Sequence, residues 1–371
     1  MIKESLYVST GSTITYHSPP KGSKKLIITF DPYGCDISEK GFGSDFVLTC
    51  GFEHIFVSHK KNSHYQGLSV EEFYTAVKDK IKGKKVFTYG CSLGGYCAAY
   101  YAGIIDAKAI CISPRNSAHP SIIEADPHFR NLFSGVEYKH SIDLTMPLSK
   151  HQPVVIYDPT QKIDKTFLET LILSKYPDTK IIEAPYASHQ VAEALLEVGQ
   201  LKEFFLSSVY DSPTDVDINE NNSSYYNWES GYSYLKSGDF EMATHHFLKA
   251  HQIRPSDQKA LKILSILRKS KKHREIDKSI FQSINDEILA SSLFSKEFYL
   301  ARYPDLEPDD FYREHPSLHY LIFGAYEGRN PSKQFDSKHY LQSNPDVLKS
   351  GINPFLHYLR YGSKEGRRPL P

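Results

Sequence analysis

Short apolar runs alternate with amphipathic stretches through the first 208 residues of the chain. The runs predict strands at Ser5–Thr10, Lys25–Phe30, Glu53–Ser58, Lys85–Tyr89, Ala107–Ser113, Pro153–Tyr157 and Thr179–Ala184. The amphipathic and small-residue stretches predict helices over Val70–Ile81, Leu93–Ile104, Lys165–Lys175 and Gln190–Phe205. Leu26-Ile27-Ile28-Thr29-Phe30 and Val154-Val155-Ile156-Tyr157 are apolar on consecutive rather than alternate positions. Such strands suit a parallel sheet covered on both faces, so residues 1–208 read as an α/β layer with a mostly parallel sheet and helices on either side. Residues 209–221 are polar and acidic, without helix or strand preference, and read as a linker. Helical patterns resume over 222–290 and 291–371, predicting an all-α C-terminal region.

At 371 residues the chain exceeds one ordinary core, which predicts at least two folded units. Lys plus Arg and Asp plus Glu both total 44, so the electrostatics argue against a nucleic-acid or membrane-surface binder. The opening residues lack the apolar run of a signal peptide and no stretch is apolar enough to span a bilayer, so the expected location is cytoplasmic. Five cysteines, at 35, 50, 91, 97 and 111, lack the paired spacing of a zinc site and read as reduced thiols, with no metal expected.

The chemistry is carried by Gly90-Cys91-Ser92-Leu93-Gly94, between the strand Lys85–Tyr89 and a helix rich in small residues. Glycines on either side of a serine let the backbone turn sharply from strand to helix and lift the hydroxyl to the tip of the turn, a nucleophile elbow. Cys91 adjoins the serine, but the middle position of the elbow points into the site, which leaves Cys91 a packing role. The segment resembles the elbow of the α/β-hydrolase superfamily, whose catalytic residues follow the chain order Ser, Asp or Glu, His. That resemblance implies Ser92 as nucleophile, Asp158, directly after the strand ending at Tyr157, as acid, and His189, after the last strand, as base. Asp164, later in the same loop, is the reserve acid.

A carbonyl oxygen gaining charge needs preorganised donors. The backbone N–H of Leu93 supplies one, and the loop Asp31-Pro32-Tyr33-Gly34 supplies a second; proline has no N–H, which leaves Tyr33 or Asp31, with Tyr33 preferred. Many relatives have His-Gly here. The loop 58–67, rich in hydroxyl, amide and imidazole groups, offers Asn62, His64 and Tyr65 for contact with sugar hydroxyls. Residues 114–152 occupy the place of a hydrolase lid, with Arg115 and Asn116 at its root.

Trp228, Gly231, Tyr234, Gly238, Ala243, Phe247, Ala250 and Pro255 fall at spacings that resemble one tetratricopeptide repeat, and Lys259–Arg268 would begin a second copy or act as a cap. A different repeat follows. Phe294, Tyr299, Pro304 and Asp305 recur forty-one positions later as Phe335, Tyr340, Pro345 and Asp346. His319, Gly324, Glu327, Gly328, Arg329 and Pro331 recur thirty-eight positions later as His357, Gly362, Glu365, Gly366, Arg367 and Pro369. Each copy reads as two short helices and a Gly-x-x-Glu-Gly-Arg turn, and the pattern resembles a module on bacterial enzymes of surface-polysaccharide assembly. The elbow domain in turn resembles bacterial capsule O-acetyltransferases of α/β-hydrolase fold.

These resemblances imply acetyl transfer from acetyl-CoA, a co-substrate rather than a resident cofactor, to a hydroxyl of a surface polysaccharide or oligosaccharide. They also imply recruitment of assembly proteins through the C-terminal repeats. The alternatives are a carboxylesterase or glycan deacetylase using the same residues, and a non-catalytic scaffold of polysaccharide assembly.

Overall fold

A computed structural model describes residues 2–125, 148–237, 239–254, 282, 284–350 and 352–371. The chain divides into two compact units, Met1–Ile218 and Asn219–Pro371.

The first unit is built on one eight-stranded sheet of β1 (Ile2–Val8), β2 (Ser12–Ser18), β3 (Lys25–Phe30), β4 (Glu53–His59), β5 (Lys85–Cys91), β6 (Lys108–Ile112), β7 (Val154–Tyr157) and β8 (Lys180–Glu183). Its strand order is β1-β2-β4-β3-β5-β6-β7-β8. β1 pairs antiparallel with β2 and β2 with β4, and every other pairing is parallel. The chain winds outward one way from β3 to β4 and the other way from β5 to β8, so the order reverses between β3 and β5. A crevice opens outside the carboxyl ends of two such strands, which is where α/β sheets bind ligands.

The helices of this unit are α1 (Ser44–Thr49), α2 (Val70–Ile81), α3 (Leu93–Ala102), α4 (Pro120–Ala125), α5 (Lys162–Phe167), α6 (Val191–Glu197) and α7 (Leu201–Tyr210). α2 starts on a capping box between Ser69 and Glu72 and turns Phe73 and Val77 into the core. α3 lies close on the sheet because Gly94, Gly95, Ala98 and Ala99 face it, and Thr88 Oγ1 donates to Ala98 O at 2.7 Å. Phe30 and Tyr101 stack at 5.3 Å between centroids, and Tyr101 donates its hydroxyl to Leu68 O at 2.6 Å. On Tyr89, Phe205 of α7 packs at 4.9 Å.

The predicted boundaries of β3 and α2 coincide with the observed ones, and the remaining predicted strands differ by a few residues at their ends. Three differences are larger. β2, α1 and α4 stand where no element was expected. The predicted helix Gln190–Phe205 is two helices, broken at Gly199, whose φ of +75° needs glycine. The predicted helix Lys165–Lys175 starts three residues earlier, at Lys162, and continues as a π-helical stretch over Leu168–Leu173. Of the expected lid, 126–147 lies outside the described residues.

The second unit opens with two helices, α8 (Ser224–Ser237) and α9 (Phe240–Ile253), packed as a hairpin. Gly231 faces the Phe247 ring so closely that a Cβ would sit 3.0 Å from it, and Trp228 meets the same ring edge-on at 5.3 Å. This is one helical hairpin; Gly238, Pro255 and the predicted helix Lys259–Arg268 lie outside the described residues.

In the C-terminal module the repeated residues meet one another in each copy. Tyr299 Oη bonds His319 Nδ1 at 3.0 Å, and Tyr340 Oη bonds His357 Nδ1 at 3.0 Å. A Cβ on Gly324 or Gly362 would lie 2.0 Å from the matching tyrosine oxygen. Arg329 pairs with Asp305 and Glu327, and Arg367 with Asp346 and Glu365. Gly328 and Gly366 take φ of +72° and +71° at the turn. The copies hold more short helical segments than the expected two, and the first, three residues longer between Asp305 and His319, forms a helix over Asp310–Glu314 that packs Tyr312 against His319.

Candidate active site

Ser92 sits at φ +53°, ψ −123°, between β5 and α3, in a region that L residues occupy only under strain of about 1–3 kcal/mol. The flanking glycines permit it: a Cβ on Gly90 would lie 2.2 Å from Gly94 O, and one on Gly94 would lie 2.3 Å from Phe30 O. The turn is tied to the next strand, since Ser92 N–H donates to Ile112 O and Arg115 N–H donates to Ser92 O, both at 2.9 Å.

His189 reaches this serine from the loop after β8, with Nε2 3.0 Å from Ser92 Oγ. Its Nδ1 lies 2.8 Å from Asp164 Oδ2 and 3.1 Å from Oδ1. A carboxylate at Nδ1 requires the proton there, which leaves Nε2 to accept the serine hydroxyl. Asp164 comes from the first turn of α5 and is 1% exposed. Arg115 holds it from the other side, with Nε donating to Oδ1 at 3.0 Å and Nη2 paired with the same oxygen.

The carboxylate facing His189 is therefore Asp164 and not Asp158. Asp158 is fully buried and turned into its own loop, where Oδ1 accepts from Thr160 N–H at 2.8 Å and Thr160 Oγ1 at 2.7 Å. Its Oδ2 accepts from Ser188 N–H at 2.8 Å. Burial raises its pKa and these hydrogen bonds oppose the rise. Asp158 thus anchors the backbone beside His189, where Tyr186 and Ser188 hold φ of +60° and +64°.

Ser92 and His189 open on a cavity of about 420 Å³, lined also by Tyr33, His64, Cys91, Leu93, Arg115 and Glu193. Leu93 and Tyr33, the expected oxyanion donors, border it beside the serine. The rival donor Asp31 gives its N–H to Val57 O at 3.3 Å. Of the three residues expected to meet substrate, His64 alone lines the cavity. Asn62 is exposed away from it, and Tyr65 is buried, donating its hydroxyl to Asp31 O at 3.0 Å. Successive left-handed residues explain the split: Asn62, His64 and Tyr65 have φ of +62°, +46° and +62°, so the loop coils and sends neighbouring side chains in different directions. His64 is 3% exposed, and burial, with His59 nearby, lowers its pKa to about 4, so the imidazole is neutral at physiological pH. Burial pushes the Cys91 thiol well up, which removes it as a nucleophile near neutral pH. Among the described residues no group of His, Cys, Asp and Glu is arranged to hold a metal ion, and no helix is long and apolar enough to cross a membrane.

Asp31, at the end of β3, is 2% exposed, accepts the Phe42 N–H at 2.9 Å, and is pushed by burial from 3.8 up to about 6. A raised carboxyl stays protonated in the fold while the unfolded chain releases its proton, so stability falls between pH 4 and pH 6 and the penalty is complete above pH 6. Converted from the two pKa values the penalty is about 3 kcal/mol. Asp31→Asn keeps an acceptor for Phe42 and removes the charge. The variant is expected to be more stable than wild type by about 2–3 kcal/mol at pH 8 and equal at pH 4, in denaturant melts across that range; a constant difference would contradict it.

A profile of the alpha/beta hydrolase fold matches residues 18–144. The first unit has the α/β-hydrolase fold. Among solved structures, Est1E from Butyrivibrio proteoclasticus is 14% identical with a TM-score of 0.39, over 56% of this chain and 99% of that one. A serine hydrolase without lid from Xanthomonas campestris is 16% identical with a TM-score of 0.35, over 58% and 96%. A dienelactone hydrolase from Anabaena variabilis is 16% identical with a TM-score of 0.37, over 55% and 96%. No curated protein matches. The fold suits hydrolytic and acyl-transfer chemistry, which share a first half-reaction.

Proposed function

We propose that Ser92, His189 and Asp164 form the catalytic triad of a serine acyltransferase that carries an acetyl group from acetyl-CoA to a hydroxyl of a surface polysaccharide or oligosaccharide. The observation that carries the acyl chemistry is the unbroken run of hydrogen bonds from Ser92 Oγ through His189 to Asp164. In the first half-reaction Ser92 Oγ attacks the thioester carbonyl as His189 Nε2 takes its proton. On this reading the N–H groups of Leu93 and Tyr33 would donate to the oxygen that gains charge, and the imidazolium gives the proton to the departing thiolate. An acceptor hydroxyl then attacks the acetyl-serine, giving its proton to His189, and the ester leaves with Ser92 regenerated.

The glycan acceptor is supported by the polar side chains that line part of the cavity, His64, Arg115, Ser117, Gln190 and Glu193, and by the likeness of the C-terminal repeats to a module of polysaccharide-assembly enzymes. His64 contributes as a neutral imidazole that exchanges hydrogen bonds with the acceptor, and protein partners of the assembly machinery would bind the repeats.

The test is incubation with acetyl-labelled acetyl-CoA and a panel of acidic and neutral bacterial glycans. Label moving to one glycan class, with little free acetate, supports transfer; release of acetate at one rate whatever the acceptor makes the protein a hydrolase, and no turnover with a folded protein makes it a scaffold. His64→Ala should raise the acceptor KM about 3- to 10-fold, the worth of one hydrogen bond, and leave the acetyl-enzyme burst unchanged. A slower burst with normal acceptor KM would move His64 to the acyl step.

A further inference from the structure

Asp164 is a buried carboxylate, and a buried carboxylate must be neutralised or paired to stay ionised. The cation that meets it is Arg115, whose Nε donates to Oδ1 at 3.0 Å and whose Nη2 pairs with that same oxygen. Oδ1 is thereby occupied, and Oδ2 is left as the closer partner of His189 Nδ1, at 2.8 Å. The guanidinium is itself held, lying 5.5 Å from the Phe167 ring centroid, on the last residue of α5. The backbone of the same residue fixes the nucleophile's turn, because Arg115 N–H donates to Ser92 O at 2.9 Å. Arg115, in the segment that follows β6, is thus bonded to both ends of the hydrogen-bonded run, to the serine through its main chain and to the acid through its side chain.

Resting on the reading of Ser92, His189 and Asp164 as an acyl-transfer site, we propose that Arg115 is its positioning residue: the guanidinium occupies Oδ1 of Asp164 and turns Oδ2 toward His189. Arg115 also borders the cavity, so a direct contact with an anionic substrate is the competing role. The two differ in what they change. A positioning residue acts through Asp164, so its loss lowers kcat and is invisible once Asp164 can no longer orient the imidazole; a substrate contact raises KM and is lost independently of Asp164.

The experiment is a double-mutant cycle of Arg115→Met and Asp164→Asn on the full chain, read by p-nitrophenyl acetate kinetics and by the rate of fluorophosphonate labelling of Ser92. Arg115→Met alone should lower kcat and the labelling rate together by about 10²-fold, with KM changed by less than about threefold. In the Asp164→Asn background the same change should cost less than about threefold. Arg115→Lys, which restores the charge but not the fork, should recover part of the loss and guards against a Met variant that fails to fold. Losses that multiply, or an effect on KM alone, would overturn the positioning role while leaving the site intact. Wild-type protein that never labels at Ser92 would instead overturn the site and this role with it.

Discussion

Ser92→Ala should abolish fluorophosphonate labelling and lower kcat toward p-nitrophenyl acetate by about 10⁵- to 10⁶-fold, the loss expected when the nucleophile of a cooperating set is removed. The change deletes one oxygen and leaves the backbone as it was, since alanine at φ +53° carries the same strain as serine. Melting should accordingly be unaltered within about 0.5 kcal/mol, which separates loss of chemistry from loss of fold. Cys91→Ala is the matched control. Its thiol borders the same cavity, but burial keeps it protonated, so the variant should retain labelling and most of its turnover. Labelling that survives in Ser92→Ala and disappears in Cys91→Ala would transfer the nucleophile to the thiol.

Much of the sheet could be read from the chain because β3, β5, β6 and β7 are largely buried on both faces and so are written as mostly apolar runs. β2 could not: Ser12-Thr13-Ile14-Thr15-Tyr16-His17-Ser18 has two large apolar residues, and its burial comes from being paired on both edges, by β1 and β4, a tertiary fact with no local mark. The break in the predicted helix 190–205 did carry a mark, Gly199, that a strict reading of helix stops would have used. The C-terminal repeat was legible for a physical reason. A tyrosine that bonds a histidine above a glycine constrains three positions at once, so Tyr299, His319 and Gly324 recur together as Tyr340, His357 and Gly362. Within the site, serine and histidine were legible because a strained turn and the last strand fix their places. The sequence places Arg115 only at the root of the expected lid. Its pairing with Asp164 joins a loop and a helix forty-nine positions apart and has no signature in either.

The two aspartates after β7 give the sharpest separation between a residue's place in the chain and its work. Asp164→Asn should lower kcat by about 10⁴-fold, since an amide leaves His189 free to take the wrong tautomer and strips Arg115 of its counter-charge. Asp158→Asn should lower kcat by less than about tenfold but destabilise the fold by about 1–3 kcal/mol, because an amide nitrogen in place of Oδ2 would face the Ser188 N–H donor, and the loop beside His189 would lose its tether. Proximity to β7 favours Asp158, yet that proximity is what removes it. Asp158, directly after the strand, is held by Thr160 of its own turn and by Ser188, whereas Asp164, in the first turn of α5, meets His189. Paired kinetics and melts of the two variants decide the assignment: a 10⁴-fold loss in Asp158→Asn with Asp164→Asn near wild type would return the acid to the position after the strand.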